Sequence, residues 1–129
     1  MKKFTILLSI FVSINTAFCQ KGNVDAMLKK IAAEKDDNIR IDLINAFSSN
    51  MAESDPVMDM QNFQKLLLQS QRNKDRIAEA MAFSETGYDY GAFGNYTKSL
   101  ECNLKATAIA HETGNEKWFI TKMRTFRYI

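Results

Sequence analysis

The sequence predicts an all-α fold. Apolar residues recur at intervals of three and four, the spacing of one face of a helix, along most of the chain beyond its first twenty residues. No segment sustains the strict apolar–polar alternation of a half-buried strand. Among the 129 residues there is a single proline, Pro56, and it stands where a helix would begin rather than inside one.

The N-terminus is read separately. Lys2 and Lys3 precede an apolar run from Phe4 to Val12, which gives way to Ser13-Ile14-Asn15-Thr16-Ala17-Phe18-Cys19-Gln20. A charged start, a short apolar centre and a small-residue end describe a secretory signal peptide over residues 1–19. The run is too short for a membrane-spanning helix, which needs about 20 apolar residues. Cleavage after Cys19 would leave Gln20 as the N-terminus of an exported protein, periplasmic or secreted. A lipid anchor on Cys19 is the competing reading. Phe18 opposes it, because lipoprotein signals place a small residue before the lipidated cysteine.

Export changes the charge and cysteine balance. The chain carries 17 Lys and Arg against 15 Asp and Glu, and removing Lys2 and Lys3 leaves 15 against 15. The processed protein is formally neutral, which offers no electrostatic footprint for nucleic acid. One cysteine of two, Cys102, remains, so no internal disulfide forms and apolar packing must supply the stability. The remaining stretch, 20–129, suffices for one domain, and no low-complexity linker divides it.

Each element can be justified in order. Val24, Met27, Leu28, Ile31 and Ala32 form the stripe of a short leading helix. The polar run Glu34-Lys35-Asp36-Asp37-Asn38 interrupts it. Ile41, Ile44, Phe47, Ser48 and Met51 share a face of the next helix. Asp55 is suited to cap a third helix, with Pro56 in its first turn. That helix runs through Met60, Phe63, Leu66 and Leu67 to about Ser70, and residues 71–75 read as a solvated turn. A fourth helix spans Arg76 to Tyr90 with Ala80, Phe83, Gly87 and Tyr90 inward. Asn95 caps a fifth, from Tyr96 to about His111. Thr113-Gly114-Asn115 stops it, glycine being the usual residue at a left-handed helix end. A last helix would start near Glu116.

The most informative stretch runs from Gly87 to Ala110. Gly87 and Tyr90, Gly94 and Tyr96, Ser99 and Leu100, and Ala106 together write two short antiparallel helices that pack closely. Gly87 admits a neighbouring backbone, Tyr90 fills the space beside it, and Ser99 and Ala106 keep the second helix thin. An internal repeat accompanies this pattern. Ile44, Phe47, Ser48 and Met51 have the spacing of Phe83, Thr86, Gly87 and Tyr90 at a shift of 39 positions.

These residues resemble a tetratricopeptide repeat, a helix–turn–helix unit that stacks into a solenoid. The resemblance is specific from Ala78 to Asn115 and looser from Asn38 to Ser70. It implies an α-solenoid of antiparallel hairpins: about two repeats, a leading helix and a trailing half-repeat from Glu116. The chain departs from the family pattern at Thr86 and Asn103, where large apolar residues are usual, and at Asp55-Pro56, which replaces a Gly-x-Tyr turn. The spacing also exceeds the roughly 34 residues of the ordinary repeat. Leu43-Ile44-Asn45-Ala46 and Ser54-Asp55-Pro56 are similar to the exported repeat arrays that begin sensor histidine kinases and transcriptional regulators of Bacteroidetes-type bacteria.

The chemical inventory is thin. His111, the single histidine, reads as a solvated residue at a helix end, where a cation is favoured. Cys102 reads as a small packed hydrophobe, with no histidine placed to activate it. Gly91-x-x-Gly94 is a helix–helix turn, since a phosphate loop needs a preceding strand. Asp36 and Asp37 form a polar turn, because further metal ligands are missing. Glu79, Glu85 and Asp89 read as solvated charges. No catalytic residue, metal site or cofactor is expected.

The function expected is therefore binding: a non-catalytic protein–protein interaction scaffold in the bacterial envelope. The resemblance implies that Met81, Ser84, Tyr88 and Ala92 face the partner groove. None is a lysine or asparagine, so carboxylate clamping is not expected. The alternative is a truncated sensory region of a receptor kinase or regulator in signal transduction. Trp118, Phe119, Ile120, Met123, Phe126, Tyr128 and Ile129 are expected to expose an apolar surface over 116–129 that recruits a partner or self-associates.

Overall fold

A computed structural model describes residues 23–51 and 55–115. The leader 1–19 and the trailing segment 116–129 lie outside them. The described residues form helices and turns, with no strand among them. Helix α1 covers residues 23–33. It is followed by α2 (Asp37–Met51), α3 (Pro56–Asn73), α4 (Arg76–Ala92) and α5 (Tyr96–Glu112).

Local chemistry fixes the boundaries. Asp36 starts α2: its Oδ1 accepts from Asn38 N at 2.9 Å and Ile39 N at 3.1 Å. Asp55 caps α3 by accepting from Val57 N at 2.8 Å, with Pro56 at the first helical position. Asp75 caps α4 through Ala78 N at 3.1 Å, and Asn95 caps α5 through Lys98 N at 3.2 Å. Each cap satisfies an amide that the first helical turn leaves without a partner.

Several boundaries differ from the sequence expectation: α2 begins inside the polar run at Asp37, and α4 ends at Ala92, two residues beyond Tyr90. α3 continues to Asn73, three residues beyond Ser70, and Lys74 takes the left-handed position with φ 56°. Two residues, Lys74 and Asp75, separate α3 from α4. The chain must reverse within them, and a lysine adopts the conformation that glycine usually supplies.

The core is built around α4, which packs against α5, α3 and α2. Val24, Leu28 and Ile31 of α1, Ile44, Phe47 and Met51 of α2, Phe63 and Leu66 of α3, and Ile77 and Met81 of α4 form one buried cluster. Phe47 and Phe63 meet edge to face, their ring centroids 5.7 Å apart, a geometry that aromatic pairs favour. These two rings lie between α2 and α3, which do not approach as closely as α4 and α5. Gln69 donates to the Leu28 carbonyl at 2.8 Å and ties α1 to α3. A smaller cluster joins Ala106 and Ala110 of α5 to Phe83 of α4.

Central placement corrects the reading of α4's charges. Glu79 and Glu85 are 8% and 6% exposed, and Asp89 is half-buried. With neighbours on three sides, α4 has little solvated face along its first three turns. The alanines at 78, 80 and 82 carry that signal in the sequence, since small residues on every face let neighbouring helices close in.

Candidate protein-interaction surface

The α4–α5 hairpin is the closest approach in the fold. A β-carbon built on Gly87 would meet Asn103 Oδ1 at 3.1 Å, Cys102 Cβ at 3.2 Å and the backbone oxygen of Ser99 at 3.2 Å. Each distance is tighter than ordinary van der Waals contact, and a backbone oxygen cannot swing aside. Gly87 is thus what lets α5 lie against α4. At Gly91 the corresponding neighbour is the Ser99 side chain, with Oγ at 3.2 Å.

The turn that joins the two helices is built on hydrogen bonds. Phe93 N donates to Asp89 O, Gly94 N to Gly91 O and Asn95 N to Tyr90 O, at 3.0, 2.9 and 2.8 Å. Gly94 has φ 76°. The end of α5 repeats this arrangement. Thr113 N donates to Ile109 O, Gly114 N to His111 O and Asn115 N to Ala110 O, at 3.0, 3.2 and 3.0 Å, and Gly114 has φ 70°.

The repeat-defining residues fall into two groups. Ile44, Phe47, Met51, Gly87 and Ala106 are buried, while Ser48, Phe83, Tyr90 and Ser99 are half-buried. Tyr96 and Leu100, expected in the core, are instead exposed. The described helix that packs on α5 is α4. It covers Ala106, Ile109 and Ala110, and Tyr96 and Leu100 point away from that face.

The four groove positions are also divided. Met81 and Ser84 are 0% and 2% exposed and lie inside the helix packing, where they cannot touch a partner. Tyr88 and Ala92 are open to solvent. Tyr88 is joined by Phe93 and Tyr96, which stand exposed at the same end of the hairpin. The sequence reading did not select Phe93. Its position immediately before a Gly-Asn turn, where an aromatic cannot be buried between the helices it connects, was the available signal.

Lysines shield the half-buried rings nearby. Lys98 Nζ stands 5.2 Å from the Tyr90 ring and Lys105 Nζ 5.4 Å from that of Phe83. Both distances are within reach of cation–π attraction.

The opposite end of α4 is ionic. Arg40 pairs with Asp37 at 2.6 Å and with Asp75 at 2.9 Å. Arg76 pairs with Glu79 at 2.6 Å and also contacts Glu112. Asp37, Arg40, Asp75 and Arg76 line an open cleft of about 580 Å³ together with Lys35, Lys74 and Thr113. The charges of Arg40 and Arg76 are largely spent on these carboxylates.

Two titratable groups are displaced from their ordinary range. Burial, followed by the charge of Asp59, pushes the Asp89 carboxyl up to about 6, and its Oδ2 is buried without a hydrogen-bond partner. Burial also pushes the Cys102 thiol up, against a smaller downward pull from Lys105. A raised thiol is a poor nucleophile at neutral pH, which fits a packed residue between the helices. Among the described residues, no group of three His, Cys, Asp or Glu could hold a metal ion. No described helix is long and apolar enough to cross a membrane. Compared with protein-family models, curated proteins and solved structures, the chain matches none.

Proposed function

We propose that this chain is a non-catalytic protein–protein interaction module of the tetratricopeptide type, acting in a bacterial cell envelope. The observation that carries the reading is the α4–α5 hairpin. Its helices are drawn together at Gly87, and its turn end presents Tyr88, Phe93 and Tyr96 to solvent. Aromatic side chains supply large contact area at small entropic cost and are enriched where proteins bind one another. The duplicated Gly-Asn turns, which end α4 and α5, support a run of hairpins in which α4–α5 is one unit and residues from Glu116 open the next; the 39-position repeat in the sequence supports α2–α3 as the preceding unit, with α1 leading. The leader-like N-terminus supports export. The partner is a protein or peptide with an apolar or aromatic anchor, since the surface at the turn is aromatic rather than charged.

The test is capture from a bacterial envelope extract by the immobilised full chain, with Tyr88→Glu and Phe93→Glu beside the parent. Both positions are exposed, so the fold tolerates the change. A protein retained by the parent and lost from both variants is the expected result. Equal retention by parent and variants would place binding elsewhere, and no retention above bare resin would remove the reading.

A further inference from the structure

Helix α5 has two apolar faces, and α4 covers one of them. Ala106, Ile109 and Ala110 are buried on the α4 side. Tyr96, Leu100 and Leu104 recur at intervals of four, so they form one stripe along the helix. They are 76%, 60% and 61% exposed, and Ala108 extends the line toward the C-terminus. No charged residue interrupts it. A helix that is apolar on two sides is normally packed on two sides.

The end of α5 indicates what covers the second side. The turn Thr113-Gly114-Asn115 copies Phe93-Gly94-Asn95 bond for bond, including the left-handed glycine. The first copy sends the chain from α4 back along α4 as α5. The second copy therefore aims the chain back along α5. The residues that follow suit the stripe: Phe119, Met123 and Phe126 recur at offsets of four and three, beside Trp118. Fourteen residues, 116–129, would extend roughly 21 Å at helical rise. From the end of α5 that length is enough to reach Leu104 and Leu100.

We propose that the Leu100–Leu104 stripe of α5 is the docking surface for residues 116–129 of the same chain. An intramolecular contact then takes the place of the self-association that the composition of this segment suggests. This inference does not rest on the partner-binding reading.

Trp118 is the single tryptophan and reports the contact directly. The purified full chain should show a blue-shifted Trp118 emission, weakly quenched by acrylamide and independent of protein concentration. Leu100→Asp and Leu104→Asp should each shift the emission to the red and strengthen quenching. On α3, Leu68→Asp should leave both unchanged. All three positions are exposed, and circular dichroism establishes that each variant keeps its helices. A water-like Trp118 in the parent would overturn the proposal. So would a blue shift that grows with concentration, which marks a second copy as the occupant. A blue shift insensitive to both leucine variants would overturn it as well, by placing the segment elsewhere.

Discussion

Arg40 of α2 reaches across to Asp75, the cap of α4, with Nε 2.9 Å from Oδ2. The contact is a charge pair rather than a well-aligned hydrogen bond. Both side chains are mostly covered, at 11% and 17% exposure. Asp75 thus serves two elements: it accepts from Ala78 N to start α4 and holds α2 against it. Arg40 also donates from Nη1 to the Glu34 carbonyl at 3.0 Å, which pins the α1–α2 connection to the same point.

Arg40→Met removes the guanidinium's hydrogen bonds to the Glu34 carbonyl and to Asp37 along with the Asp75 pair, and should cost roughly 1.5–3 kcal/mol, the range for hydrogen bonds to charged groups. Asp37→Asn removes the charge of Arg40's other carboxylate partner, which is 59% exposed, and should cost less than about 1 kcal/mol. Denaturant melts of both variants measure the difference. Equal effects would mean that the covered Asp75 contact has no special weight.

Phe47→Ala should cost roughly 3–5 kcal/mol. Phe47 is fully buried and meets Phe63 between two helices that otherwise approach little. The same substitution at exposed Phe93 should stay within about 0.5 kcal/mol. Paired melts of the two variants check this contrast.

Much of this fold was legible in the sequence. The helix starts follow from Asp55-Pro56 and Asn95, whose side chains bond the nearest free amides whatever surrounds them. The crossing at Gly87 follows from one missing side chain beside an aromatic. The burial of Met81, Ser84, Glu79 and Glu85 depends on α2, α3 and α5 surrounding one helix, and the alanines at 78, 80 and 82 are its one trace in the sequence. Helical periodicity reports the most apolar face of α4 and says nothing of how many neighbours it has. The exposure of Tyr96 and Leu100 was hidden for the converse reason: an apolar stripe has the same spacing whether or not its neighbour is in place.

Asp89 makes stability depend on pH. Its folded pKa, about 6, lies above the ordinary value of 3.8. The folded state then holds the proton more tightly, so stability from this group is full below about pH 4 and is lost as pH rises toward 6. Between pH 7 and pH 5 the melting temperature should rise through Asp89's contribution. Asp89→Asn should raise it at pH 7 and flatten that segment of the profile. A variant with the parent's slope would assign the pH dependence to other groups.

Export predicts a defined N-terminus. In an envelope-competent bacterial host the secreted form should have the mass of a chain beginning at Gln20. A diacylglycerol adduct on Cys19 would show a lipid anchor instead, and an uncleaved Met1 form would remove the export reading.

The close crossing of α4 and α5 at Gly87 underlies both the hairpin and the aromatic surface exposed at its turn end. Its most direct measurement is the thermal and denaturant stability of Gly87→Leu beside Gly91→Ala. A side chain at 87 meets the Ser99 backbone oxygen, so Gly87→Leu should lose roughly 1–3 kcal/mol or more through overpacking. At 91 the neighbour is a rotatable serine side chain, so Gly91→Ala should be neutral or mildly stabilising. A Gly87→Leu chain as stable as the parent, or gaining the roughly 1 kcal/mol that helix propensity alone gives a non-glycine residue, would contradict the close-packed hairpin.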